Sequence, residues 1–404
     1  MNKNIENLYR IAAKPVRRIV GLMSGTSLDG LDIALCELAG SGSATRVAVL
    51  KFTTVPYDAE VKARVRAVFA KPQVDFPLLA MLNEWIGQLH ADMVVATLAE
   101  WGIAPAEVDL IASHGQTVMH APKALHGRPG YGNATLQIGD GDQIAVRTGI
   151  ITIADFRQKH IAGGGEGAPL AVYGDYYILG KAGENRILMN MGGIANFTFL
   201  PASMDPHAVF VTDTGPGNTL LDAFTRRFYP ALDFDRDAAI ATRGTVSPAL
   251  LQALLGNAFF REPFPKTTGP ELFNVEYVLD AQAASNTAEL APEDVLATLT
   301  RFSAETIAAA VLAATGAASA EPGAAPFDVY MSGGGTHNPL LVRMLAELLP
   351  YRFHSTDVLG ILGDAKEAVL FAVLANETVA GGTADFGQRL GVPSVTMGKI
   401  SLPS

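Results

Sequence analysis

The sequence predicts an α/β protein of two domains. Three observations carry that expectation. The chain has 404 residues, and domains typically run ~100–200 residues. Apolar, β-branched runs alternate with stretches of helical period. That alternation occurs in two rounds, each with a strand hairpin that has a glycine-rich tip. Hydrophobic residues make up 49 % and charged residues 17 %. A disordered chain would be poorer in the first and richer in the second. One cysteine, Cys36, excludes a disulfide scaffold. Acidic residues outnumber basic ones by 40 to 30, which argues against a general nucleic-acid binder.

The first round starts after a polar stretch, Met1 to Lys14, read as a loose tail or a short helix. Arg18–Met23 reads as a strand, Ser24–Asp32 as a turn and Ile33–Leu38 as its returning strand. Val47–Val55 is a third strand. Ala59–Ala70 and Phe76–Trp101 read as helices. Asp109–Ala112 is a short buried strand before Ser113–Thr117, Pro122–Asn133 a loop, and Ile150–Ala154 another strand.

In the second round, the glycine cluster Gly163–Gly167 precedes a helix over Ala171–Leu179. Arg186–Gly193 and Ile194–Leu200 form a hairpin, and Val209–Thr212 is a strand ending at Asp213. Helices are expected over Leu221–Phe228, Pro248–Leu255 and Glu289–Ala314, then a loop over Ala317–Pro326. Phe327–Met331 is a strand, and helices Pro339–Leu348 and Lys366–Asn376 follow. The domain boundaries expected are 1–160, joined by 385–404, and 161–384.

No targeting or membrane segment is expected. The apolar run Ile19–Met23 is shorter than a signal h-region of ~7–15 residues. Ile307–Ala314 reads as a buried core helix, far short of the ~18 apolar residues a span needs. A cytoplasmic protein is expected, with neither membrane nor nucleic acid as partner.

Glycines cluster at five strand ends. Without a Cβ, backbone amides can approach phosphate oxygens closely, and five such clusters point to a nucleotide. Neither G-x-x-x-x-G-K-[ST] nor a clean G-x-G-x-x-G is present. Ser24–Asp32 and Asp213–Asn218 combine hydroxyls, glycines and carboxylates, the parts phosphoryl transfer uses. From chemistry alone Asp213 has two readings, a catalytic base or a cap on the following helix. Asp29 and Asp32 are equally readable as turn residues. Eight histidines form no zinc pattern, and His114 reads as a hydrogen-bonding residue. Lys266-Thr267-Thr268-Gly269 reads as a solvated turn.

Gly21-Leu22-Met23-Ser24-Gly25-Thr26-Ser27-Leu28-Asp29-Gly30-Leu31-Asp32 resembles the N-terminal signature of the anhydro-N-acetylmuramic acid kinases. Further motifs follow in the family's order: Ser113–Thr117, Ala154–Arg157, Gly167–Leu170, Asn190–Asn196, Asp213–Asn218, Lys266–Gly269, and Gly333–Gly335 with Asn338. The resemblance covers roughly residues 18 to 400. It implies an actin/Hsp70/sugar-kinase-like fold, with two α/β domains around an ATP and sugar cleft. It implies that ATP phosphorylates O6 of 1,6-anhydro-N-acetylmuramic acid while water opens the ring at C1. The product is N-acetylmuramate 6-phosphate, in murein recycling.

By the same resemblance Asp213 activates the water. ATP would be held by Gly25, Thr26, Ser27, Leu28, Asp29, Gly30, Leu31 and Asp32. From the second round, Gly192, Gly193, Asn196, Gly215, Gly217, Asn218, Lys266, Gly333, Gly334, Gly335 and Asn338 would join them. The sugar would meet His114, Gln116, Thr117, Arg157, Lys159, His160, Glu166 and Gly167. Mg²⁺ accompanies ATP, with Asp29 or Asp32 as the candidate ligand, direct or through water. A homodimer is implied. The family pattern has aspartate at His160, alanine at Gly163, glutamine at Glu166, proline near Val172 and arginine at Pro270. These departures leave two alternatives standing: a kinase of a related, levoglucosan-like anhydro sugar, and a non-catalytic nucleotide or sugar sensor.

Overall fold

A computed structural model describes residues 2–168, 170–319, 326–360, 363–387 and 392–404. The chain opens on helix α1 (Lys3–Ala12), capped by Asn2, whose side chain accepts from Asn4 N–H. Strands β1 (Val16–Ser24), β2 (Gly30–Ala39) and β3 (Arg46–Pro56) form an antiparallel meander. Helices α2 (Ala59–Arg66) and α3 (Phe76–Glu100) follow, each started by an aspartate cap, Asp58 and Asp75. Strand β4 (Leu110–Ala121) runs parallel to β1. Then come α4 (Lys123–His126), β5 (Ala134–Ile138, antiparallel to β4), α5 (Gly141–Thr148), β6 (Thr152–Ala154, parallel to β4), α6 (Phe156–Ala162) and α7 (Ala171–Gly174). A π-helical turn over Asp175–Leu179 ends this stretch.

The second stretch repeats the plan. Strands β7 (Asn185–Met191), β8 (Ile194–Leu200) and β9 (Phe210–Pro216) form an antiparallel meander. Helices α8 (Thr219–Phe228), α9 (Pro248–Leu255), α10 (Val275–Ser285) and α11 (Pro292–Ser319) follow. Strand β10 (Phe327–Ser332) is parallel to β7. Helix α12 (Pro339–Leu348) leads to β11 (Arg352–Ser355), parallel to β10. Helix α13 (Lys366–Val379) and strand β12 (Lys399–Ser401, antiparallel to β6) close the chain.

The two sheets have the order β12-β6-β4-β1-β2-β3, with β5 also on β4, and β11-β10-β7-β8-β9. Each is a three-stranded meander extended from its first strand by two parallel strands. The two rounds read in the sequence are thus two copies of one topology.

The division of the chain differs from the expected boundaries. One unit comprises the chain up to Leu179 and the part after Gly360; the other runs from Gly180 to Gly360. The expected boundaries gave 161–179 and α13 to the second domain. Packing assigns them to the first. Helix α13 lies on β1, β2 and β4, and α7 lies on α13. Gly21 makes this possible, because a Cβ there would stand 1.9 Å from the Ala368 carbonyl oxygen.

Besides the four-residue α4, which lies inside the loop expected over Pro122–Asn133, six elements were not expected from the sequence. In β5 the polarity runs against burial: Thr135 is buried while Leu136 is exposed. Strands β11 and β12 have four and three residues, too few to show a period. Helices α5 and α6 are short and rich in polar residues, and α10 mixes apolar and polar residues around its circumference so that no face stands out. Conversely, the short strand expected over Asp109–Ala112 runs on through Ser113–Thr117 to Ala121 as β4, accommodated by a positive φ of 73° at Gly115. Of the loop expected over Ala317–Pro326, 317–319 end α11 and 320–325 lie outside the described residues.

The first unit's core packs Val20, Leu22 and Ile33 against Ile86 and Val94 of α3. In the second, Ile187, Phe197 and Val329 of the sheet meet Ile307 and Val311 of α11. Among the described residues one segment, Pro292–Gly316, is long and apolar enough to cross a membrane. It is 78 % buried within the fold, as a core helix is.

Candidate active site

In the first unit the loop between β1 and β2 carries the long signature. Leu28 anchors it from inside: its side chain is buried and its backbone sits at a φ of 61°, a costly conformation for a residue with a Cβ. Thr26, Ser27 and Asp29 are thereby left exposed. Gly30 is required where the loop meets β3, since a Cβ would lie 2.3 Å from the Val55 carbonyl oxygen. Leu31 is buried in the core and supports the loop from β2. Gln116, expected at the sugar, braces this loop. Its Oε1 accepts from Ser24 Oγ at 2.5 Å, and its Nε2 donates to the Gly25 carbonyl at 3.3 Å.

Asp32 accepts a 2.5 Å hydrogen bond from Thr54 Oγ1. Burial pushes its carboxyl above the ordinary range; Thr54 opposes this, and Asp364 and Asp29 add to it. Among the described residues no group of three His, Cys, Asp or Glu side chains converges as a metal site. A cation here would rest on one or two carboxylates and on phosphate oxygens, the usual habit of Mg²⁺.

Arg157 on α6 organises the second cluster. Its Nε donates to His114 Nε2 at 3.0 Å, and a terminal nitrogen donates to the Gly167 carbonyl at 2.6 Å. His114 Nδ1 donates to the Gly115 carbonyl at 3.0 Å. Burial, with the Arg157 cation adding, pushes His114 down to about 3, so it stays neutral. Gly167, at a φ of 83°, is held from its other side by its own N–H, which donates to His160 Nδ1 at 3.0 Å. His160 is fully buried against Tyr173, and burial pushes it down to about 4. A Cβ on Gly165 would lie 2.2 Å from its ring.

His160 therefore supports the glycine loop through Nδ1, while its Nε2 is buried with no hydrogen-bond partner among the described residues. Thr117 Oγ1 accepts from Gln137 Nε2 at 3.1 Å. Lys159 and Glu166 are exposed. Glu367, in the first turn of α13, was missed: Arg157 and Asp32 both act on its carboxyl, which burial raises. The sequence marks it only as an acid at the start of an apolar helix.

The second unit holds Asp213 within β9. Its N–H donates to the Lys266 carbonyl at 2.9 Å, and its Oδ2 accepts from Thr268 N–H at 2.8 Å. Burial raises its carboxyl, against the Thr268 bond, and Glu271 adds to the rise. It does not cap α8, whose N-cap position is Asn218. Lys266 is no solvated turn residue. Its ammonium is buried over the Phe259 ring and donates to the Phe259 carbonyl at 2.8 Å, so it offers the Asp213 strand its backbone.

The glycine tips of this unit lock together. Gly217 N–H donates to the Gly193 carbonyl at 2.8 Å, and Asn218 N–H to the Gly192 carbonyl at 2.9 Å. A Cβ on Gly217 would lie 2.3 Å from the Gly192 oxygen, and one on Gly333 2.6 Å from Asn190 Oδ1. Gly335 packs as closely on Met191, and Gly215 takes a φ of 138°. Asn196 pairs with Asp213 across β8 and β9. These glycines let backbones approach one another, a reason the sequence reading did not weigh. Asn338 caps α12, accepting from Leu341 N–H.

Beside the tips lies a cavity of about 490 Å³, within the range of small-molecule sites. Asn218, Gly334 and Asn338 line it, as do Phe234, Arg236 and Asp237, which the sequence reading missed. The Arg236 guanidinium lies over the Phe234 ring, 5.4 Å from its centroid.

A meander-plus-two-parallel sheet made twice, with glycine-tipped hairpins in both copies, defines the actin/Hsp70/sugar-kinase class of two-unit α/β proteins. Within that class the chain belongs to the anhydro-N-acetylmuramic acid kinase family, whose model matches residues 17–399. A relative named anhydro-N-acetylmuramic acid kinase from Pseudoalteromonas atlantica is 56 % identical and covers 100 % of both chains. Another of that name from Pseudoalteromonas translucida is 52 % identical over 99 % of each. A third, from Caldanaerobacter subterraneus, is 38 % identical over 98 % of this chain and 100 % of its own.

Proposed function

We propose that this chain transfers the γ-phosphoryl group of ATP to O6 of 1,6-anhydro-N-acetylmuramic acid. The C1–O6 bond breaks, the oxygen of a water molecule bonds to C1, and Asp213 takes the water's proton. The product is N-acetylmuramate 6-phosphate, the form in which murein sugar is recycled. Family membership along nearly the whole chain is the observation that carries the reading. Asp213 suits the base: it is fixed on a strand, oriented by Thr268 N–H, and burial raises its basicity. In the first unit the Ser24–Asp32 loop offers exposed hydroxyls and backbone to phosphates; in the second, the cavity beside Asn218 has the size of a small-molecule site.

Asp29 or Asp32 would hold Mg²⁺ together with phosphate oxygens. A cation fits there: burial, then the neighbouring charges of Asp364 and Asp29, raise the Asp32 carboxyl, and a cation would offset both. When bound, Mg²⁺ neutralises charge on the β- and γ-phosphates. The same reading makes the protein a cytoplasmic homodimer, for which light scattering would return the mass of two chains. The deciding experiment is ADP release with anhydro-N-acetylmuramic acid and with levoglucosan, side by side. Turnover with the muramic sugar alone is expected. Turnover only with levoglucosan would reassign the substrate, and none with either, despite ATP binding, would reject a kinase.

A further inference from the structure

Two buried titratable side chains, His90 on α3 and Tyr57 just after β3, take no part in the chemistry above. They form one end of a hydrogen-bonded chain into the β1–β2 loop. His90 Nε2 lies 2.8 Å from the Tyr57 hydroxyl, and that hydroxyl lies 2.9 Å from Ser24 Oγ. Ser24 Oγ is 2.5 Å from Gln116 Oε1, and Gln116 Nε2 reaches the carbonyls of Gly25 and Thr117 at 3.3 and 3.2 Å.

The protons along this chain can be assigned from its far end. Two carbonyl acceptors fix the Gln116 amide nitrogen as the donor, so its oxygen must accept from Ser24. Ser24 then accepts from Tyr57. The Tyr57 hydroxyl has one proton and has given it to Ser24. His90 Nε2 must therefore carry hydrogen and donate. Burial holds His90 down to about 4, so the ring is neutral and this tautomer persists at physiological pH. Its Nδ1 is buried without a partner among the described residues. All donors point one way, toward the loop.

Tyr57 also grips the loop's other end. Its backbone N–H donates to the Asp29 carbonyl at 3.0 Å. One residue thus fixes Ser24 at the loop's start and Asp29 near its close. Leu28 lies between them in a left-handed conformation that only surrounding structure can sustain.

We propose that Tyr57, with its proton donor His90, is a positioning residue that sets the geometry of the Ser24–Asp32 loop for ATP. The inference rests on the reading that this loop holds ATP phosphates. Tyr57→Phe removes one hydroxyl from a buried ring and leaves the backbone bond to Asp29 in place. Ser24 loses a donor and His90 an acceptor. Buried groups left unpaired in this way are worth about tenfold in an equilibrium.

The test measures kcat/KM for ATP, KM for the sugar, and thermal melting. For Tyr57→Phe, kcat/KM for ATP is expected to fall about tenfold with the sugar KM unchanged. His90→Leu should do the same, and His90→Gln, whose amide can still donate to Tyr57, should recover most of the loss. A loop variant, Thr26→Val with Ser27→Ala, tests the underlying reading. If the loop variant lowers kcat/KM for ATP and Tyr57→Phe does not, the positioning role falls alone. If the loop variant leaves it unchanged, both fall. If Tyr57→Phe does not fold, the two His90 variants decide: equal kinetics for leucine and glutamine would overturn the proposal.

Discussion

Replacing Asp213 by asparagine tests the assignment of the base. Asparagine has the same shape, and its carbonyl oxygen can still accept from Thr268 N–H. The bond becomes neutral rather than charge-assisted, at a cost of ~1 kcal/mol. Against that, the variant removes a charge that burial already disfavours, as the raised carboxyl records. The two effects oppose each other, so folding stability should move by no more than about 1 kcal/mol. The lost function is larger. A positioned general base is worth ~10²–10⁴ in rate, or about 3–5.5 kcal/mol at 1.36 kcal/mol per tenfold. Turnover followed by ADP release should therefore drop at least about a hundredfold, while ATP affinity by calorimetry stays near wild type. The wild-type rate should also fall on the acid side, with an apparent pKa above the ordinary carboxylate range, and the variant should lack that limb. A purely structural role, that of holding Thr268 N–H, predicts the reverse: a lower melting point with turnover kept. A variant retaining more than about a tenth of the wild-type rate would refute the base.

Three further outcomes are expected. His90, His114 and His160 are all pushed by burial well below the usual 6.5, to about 4, 3 and 4. The unfolded chain binds their protons first, so stability should be full above about pH 6.5 and decline as the pH falls toward these folded-state values; melting at pH 7.5 and 5 checks the sign. Asp213, raised in the folded state, contributes with the opposite sign and should only soften the decline. Gly217→Ala places a Cβ 2.3 Å from the Gly192 oxygen, so urea unfolding should show a loss of about 1–3 kcal/mol. Arg157→Lys cannot donate to His114 and Gly167 in the same planar geometry. It should raise the sugar KM with ATP affinity unchanged, and unaltered sugar kinetics would remove Arg157 from that site.

Sequence made some of these features legible for physical reasons. The meanders β1–β3 and β7–β9 alternate or run apolar over seven or more residues, and their turns are rich in glycine. Period and breaker coincide there, so the hairpins and the loop chemistry at their tips could be read directly. Which sheet a helix joins is not written in its period. Helix α13 is apolar nearly all round, and only the missing side chain at Gly21 shows the strand it lies on. Strand β5 hid because one of its two buried side chains is a threonine, satisfied by the Met119 carbonyl at 3.1 Å, while Leu136 is exposed.

The site residues divide along the same line. Asp213 could be singled out because a carboxylate at the end of an apolar strand has few uses, yet base and cap were inseparable until Thr268 N–H was seen to hold it. Lys266 looked like a solvated cation because its local sequence, Lys-Thr-Thr-Gly, is polar; Phe259 and Phe264, a few residues earlier, fold over it. His160 is named for the sugar only by the family resemblance, and the contact that holds Gly167 in place through its Nδ1 could not be read from the sequence. In each case the sequence located the chemistry to within a loop, and a contact decided which partner used it. The 40 glycines follow the same rule. At Gly217, Gly333 and Gly335 the close neighbour is another strand end, so a ligand there would meet a surface that glycine shaped by bringing protein backbones together.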